Sequence, residues 1–195
     1  CALPIYFYYS ATVDTFAGNF TKFPVGLVDT FGGNLIMIST LNIDGGEGVD
    51  DLLALIMSSG EVLIYSGSDP SASNFALVGT YRIAEPVNEK RAIAKLGGDV
   101  IVMTKEGYLP LSQVVRQDIV GNKAAAISEK IRGTVINQVK TTGSSTGWQI
   151  FVSPDGDKVY FNYPTGDSGD PFNQHVFNPI IRADRKSTRL NSSHQ

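Results

Sequence analysis

The sequence predicts a mainly β fold of antiparallel sheets, a sandwich, barrel or propeller, with one inserted amphipathic helix at about 122–140. Three observations carry this expectation. Short apolar runs separated by glycine-containing turns recur between residues 34 and 111. The same pattern resumes after Gly147. Between them lies one stretch whose apolar residues recur every fourth position. Turn signals roughly every eight to twelve residues are typical of sandwiches, barrels and propellers.

The elements follow in order. Tyr6-Phe7-Tyr8-Tyr9 is an aromatic run that reads as a strand without a partner, and an exposed edge of that kind invites aggregation. Gly32-Gly33 precedes an apolar strand over Asn34–Thr40. Asp51–Ser58 is a near-continuous apolar run, as expected of a strand buried on both faces. Ser59-Gly60 turns the chain, and Glu61–Ser66 returns as the second arm of a hairpin. A polar loop over Gly67–Asn74 leads to a strand at Phe75–Arg82. Ala92–Leu96, Gly97-Gly98-Asp99 and Val100–Thr104 form a second hairpin, and Glu106-Gly107 turns into Tyr108–Leu111.

A short helical turn is expected near Leu111–Val115. The main helix is expected over Lys123–Lys140, capped by Asn122, with Ile127, Ile131, Val135 and Val139 on one face. Gly133 weakens it by about 1 kcal/mol relative to alanine. Trp148–Ser153 and Lys158–Tyr163 flank Pro154-Asp155-Gly156-Asp157, a hairpin turn. Gln174–Asn178 is the last expected strand.

Both ends have a separate reading. Asp184–His194 resembles the in-frame translation of a short-read sequencing adapter, and Cys1–Ile5 resembles its reverse complement. Residues 1–5 and 184–195 are therefore expected to be adapter-derived, the latter disordered, around a single truncated domain at 6–183 with a helical insertion at about 111–141.

The chain of 195 residues carries a net charge of −3, and the 184–195 segment holds three of its basic groups, Arg185, Lys186 and Arg189. The remainder is mildly acidic and lacks a Lys/Arg cluster for neutralising phosphates. Cys1 is the sole cysteine, so neither a disulfide framework nor a cysteine zinc site is available. His175 is the sole histidine outside the terminal segments. No apolar run reaches the length of a membrane helix.

A family resemblance rests on an ordered series of segments. Asp44–Asp51, Ser58-Ser59-Gly60-Glu61-Val62 and Tyr65–Pro70 come first. Gly97-Gly98-Asp99-Val100, Thr104–Gly107 and Pro110-Leu111-Ser112 follow. Ile127–Ile131, Gly147-Trp148-Gln149, Pro154-Asp155-Gly156 and Gln174–Asn178 complete it. Together they resemble β-propeller structural proteins of tailed bacteriophages, of the packaged-DNA stabilisation or tail-nozzle kind. The resemblance implies a mainly β fold of partial β-propeller-like antiparallel sheets, and a non-enzymatic virion component of the head–tail connector or tail, made in the host cytoplasm. It implies a homo-oligomeric ring contacting portal and tail proteins, non-specific contact with phage DNA, and no cofactor. An acidic lumen would let DNA slide without sticking. The alternatives are a tail-associated glycan-processing propeller enzyme and a cellular ligand-binding propeller.

The candidate sites each have a plainer reading. Asp44, Glu47, Asp50 and Asp51 are candidate Ca²⁺ ligands, but their spacing is not that of an EF-hand, and a glycine-rich turn is preferred. Asp155-Gly156-Asp157 is read as a turn in the same way. Trp148 is a stacking platform or, in preference, a core or subunit-contact residue. His175 is a pH sensor or, in preference, an ordinary satisfied side chain. Lys90, Arg91 and Lys95 make a small basic spot, read as a solvated face. No acid/base motif and no phosphate loop is legible.

Overall fold

The computed structural model describes residues 5–10, 18–44, 49–67, 69–87, 91–116, 127–166, 172–179 and 183–185. They form a mainly β protein of several antiparallel sheets, with strands β1 (Tyr6–Ser10), β2 (Phe20–Pro24), β3 (Leu35–Asp44), β4 (Val49–Met57), β5 (Glu61–Ser66) and β6 (Ala76–Arg82) in the first part of the chain. Strands β7 (Ile93–Leu96), β8 (Asp99–Thr104), β9 (Gly107–Pro110), β10 (Gln149–Val152), β11 (Val159–Pro164), β12 (Phe172–Asn178) and β13 (Ala183–Arg185) follow. Helices α1 (Leu111–Arg116) and α2 (Arg132–Thr142) lie between β9 and β10. The chain divides into two compact units, Cys1–Ile83 and Ala84–Gln195.

In the first unit, β3-β4-β5-β6 is a four-stranded meander in which each strand pairs with its sequence neighbour. The apolar runs at β4 and β5 are buried on both faces, as their lack of alternation requires. Gly60 closes the hairpin between them at φ 85°, its N–H bonded to the Met57 carbonyl at 3.0 Å. A residue with a Cβ is strained at that angle.

β1 does not stand alone. β2 pairs with it antiparallel, Phe7 opposite Phe23 and Tyr8 opposite Lys22. Phe7 stacks on Phe23 at 5.0 Å, and Phe23 continues into Tyr65 and Phe75 at 5.5 and 5.3 Å. This aromatic column closes over Val25, Leu55, Met57 and Leu63. The expectation of an unpartnered Tyr6–Tyr9 edge is therefore corrected, because the ribbon gains its own partner and its own core contacts.

The second unit contains the sheets β7-β8-β9 and β10-β11-β12-β13. One core joins Ile101, Met103 and Tyr108 of the first, and Ala92 just before it, to Ile150, Val159, Phe161 and Tyr163 of the second, with Val135 and Val139 of α2. β11 alternates between buried and half-buried positions, so one face of its sheet is directed to this core. β13 pairs Asp184 with Phe177 and Arg185 with Val176, so strand structure crosses the junction at 183/184.

The main helix departs from its expected bounds. α2 starts at Arg132, after a single 3₁₀ turn at Glu129–Ile131, and residues 117–126 lie outside the described set. Ile127 and Ser128 belong to a turn. Their polar groups are committed to β9: Ile127 N–H bonds the Tyr108 carbonyl at 3.0 Å, and the Ser128 hydroxyl accepts Tyr108 N–H at 2.9 Å. A backbone held against a strand cannot also enter a helical ladder. The apolar stripe nonetheless packs inward throughout, from Ile127 and Ile131 to Val135 and Val139.

Candidate functional site

Two buried polar groups stand out, one in each unit. In the second unit, β12 carries His175 into the core, where it is 5% exposed. Its Nδ1 lies 2.8 Å from the Tyr108 hydroxyl of β9. Tyr108 in turn stacks on Phe161 at 4.1 Å and 10°, and Tyr163 lies 4.5 Å from the imidazole. Burial holds the His175 pKa down at about 4 and raises the Tyr108 phenol well above its ordinary value. At neutral pH both are uncharged. A small cavity of about 10 Å³ adjoins them, lined by Ser128, Ile131 and Phe177 among others. That volume is at the lower limit for one water molecule. The arrangement joins two sheets through a neutral hydrogen bond.

In the first unit, Glu61 opens β5 with no exposed surface. Its carboxylate accepts N–H bonds from Thr30 at 3.1 Å and Phe31 at 3.0 Å. Burial, with a side-chain hydrogen bond to Asp29, raises its pKa, while the two amides oppose that shift. Asp29 also accepts Gly32 N–H at 2.9 Å. The two carboxyl groups thus clamp the 29–32 turn. Replacing Glu61 by glutamine presents an NH₂ group where an amide donor now points. The Glu61→Gln change is expected to cost about 1–3 kcal/mol, read as a lowered urea midpoint. An unchanged midpoint would show that the clamp is dispensable.

The sequence had singled out neither Glu61 nor Tyr108. Glu61 reads as a polar residue after a turn, and only the fold brings Thr30 and Phe31 to it. Of the candidate calcium ligands, Asp44, Asp50 and Asp51 lie in β3 and β4, where Asp44 pairs with Val49, Ile43 with Asp50 and Asn42 with Asp51. Glu47 lies outside the described residues. Among the described residues no group of three His, Cys, Asp or Glu side chains is placed to hold a metal.

Trp148 is 1% exposed and donates its indole N–H to the Thr142 carbonyl at 3.0 Å. It is a core residue, not an open stacking platform. Asp155-Gly156-Asp157 forms the β10–β11 turn, where Gly156 N–H bonds Ser153 O at 2.8 Å and Asp157 pairs with Lys158. Arg91 and Lys95 are exposed, and Lys90 lies outside the described residues. No helix among the described residues is long and apolar enough to cross a membrane. Comparison of the chain with known protein families, with characterised proteins and with solved structures finds no match.

Proposed function

We propose that this chain is a non-enzymatic structural component of a tailed-phage virion, of the head–tail connector or tail, built from propeller-like blades. The observation that carries the reading is strand order. β3-β4-β5-β6 is a four-stranded antiparallel meander of consecutive strands, and β10-β11-β12 repeats its order with a fourth strand, β13, formed largely by the segment read as adapter-derived; the shorter β7-β8-β9 falls between them in sequence. A propeller blade is a sheet of this size and order. Self-association into a ring gains support from the apolar side chains the first unit leaves in solvent, among them Leu27 at 84% and Val78 at 54% exposure. Contact with DNA would be weak, because the chain is acidic overall.

Light scattering coupled to size-exclusion chromatography tests this. The purified chain is expected to elute as an oligomer, seen as a closed ring by negative-stain microscopy. Plasmid DNA should shift it only at low salt. A monomer at every concentration, or tight DNA binding that survives physiological salt, would overturn the reading.

A further inference from the structure

The outer face of the β10–β12 sheet is patterned by rows. Strand register places Gln149, Asn162 and Gln174 side by side across three strands. Gln174 donates to Asn162 Oδ1 at 2.7 Å, and Gln149 stands in register beyond Asn162, so the three amides share a row on the half-buried outer surface. Two residues along the strands lies an aromatic row, Phe151 opposite Tyr160, with ring centroids 6.0 Å apart and planes inclined by 35°. On the other side of the amides lies Phe172. Phe151 is 48% exposed and Phe172 55%. Gly147 lies close to the Phe172 ring, and a Cβ there would collide with it.

An amide row flanked by exposed aromatics has a definite chemistry. Aromatic faces carry negative charge density and attract the weakly positive C–H faces of sugar rings. Primary amides offer donor and acceptor together, matching vicinal hydroxyls. The three rows span about 13 Å, the reach of roughly two to three linked pyranose rings. Among the described residues a single charged residue is in register with these rows, Arg185 of β13, opposite Val176 at the far end of the aromatic row. Lys158 stands beyond them and is paired with Asp157 at 2.8 Å. A nucleic-acid strand needs cations along its backbone as well as stacking. A second copy of the chain would have to bury the amide row, which costs free energy wherever an amide is left unpaired.

We infer that this face binds a neutral oligosaccharide, with sugar rings on Phe151–Tyr160 and on Phe172 and hydroxyls on the amide row. The inference stands on this sheet alone and does not depend on the virion reading.

Titration of the ¹⁵N-labelled full chain with maltotriose, cellotriose, mannotriose and chitotriose tests it, with a heparin-derived hexasaccharide and simple dilution as further arms. Saturable shifts confined to residues 149–151, 160–162 and 172–174 are expected with at least one neutral trisaccharide. Phe151→Ala and Phe172→Ala should each weaken that binding tenfold or more. Gln149→Ala should weaken it while leaving the rest of the spectrum unchanged. No saturable shift with any neutral trisaccharide would overturn the inference. So would shifts that survive both phenylalanine replacements, or a face that responds only to heparin or to dilution.

Discussion

Replacing Trp148 with alanine is expected to lower the stability of the second unit by about 3–5 kcal/mol, the range for removing a buried large aromatic. The side chain is among the largest wholly enclosed ones, packed beside Tyr163 at 6.0 Å. Its loss opens a void between α2 and the β10–β13 sheet. It also strands the Thr142 carbonyl, which now accepts the indole N–H. Trp148→Phe keeps most of the apolar volume and should lose less. Far-UV circular dichroism in urea measures both, and hydrogen exchange localises the effect to residues 92–166. A loss below about 1 kcal/mol for the alanine variant, the size of an ordinary surface change, would show that the site relaxes around the gap.

Acid should loosen the same unit through His175. Its folded pKa is about 4 against an ordinary 6.5, because burial disfavours the cation. Between those values the unfolded chain binds a proton and the folded chain does not, so stability falls as pH drops from about 6.5 and levels off below about 4. At about 1.4 kcal/mol per pH unit the full effect is roughly 3 kcal/mol. A protonated ring would sit among Tyr108, Tyr163 and Phe161, with no carboxylate facing it among the described residues. Trp148 is the sole tryptophan, so its emission reports this unit directly. Urea midpoints by fluorescence at pH 7, 5.5 and 4.5 should fall in sequence. In His175→Gln, whose amide can still accept from Tyr108, the decline should be shallower. Equal slopes in the two proteins would remove His175 as the cause.

Much of the strand pattern was legible because local chemistry decides it. Glu61–Ser66 begins and ends where Gly60 and Gly67, both at positive φ, allow the chain to turn. The start of α2 was not legible. Ile127 sits on the helical stripe, yet its amide is taken by Tyr108, and that partner comes from a strand nearly twenty residues away in sequence. β2 was also missed. Phe20-Thr21-Lys22-Phe23-Pro24 alternates only faintly and ends in a proline, so its strand character depends on Phe7 and Tyr65. The amide row on β10–β12 lay hidden for a related reason. Gln149, Asn162 and Gln174 are unremarkable alone and become a surface only once strand register aligns them. Glu61 and His175 belong to the same class, polar groups whose partners are set by tertiary structure.

The neighbour-to-neighbour order of strands has a kinetic side. Within each sheet every pairing links segments adjacent in sequence, so closing it encloses only a short stretch of chain. The entropy of such closures is small, and topologies with low contact order reach their native pairing quickly. During synthesis at roughly 5–20 residues per second, β3 to β6 can be complete while β10 is still inside the ribosome. Each meander then leaves the tunnel with few open edges for its successors to mispair with.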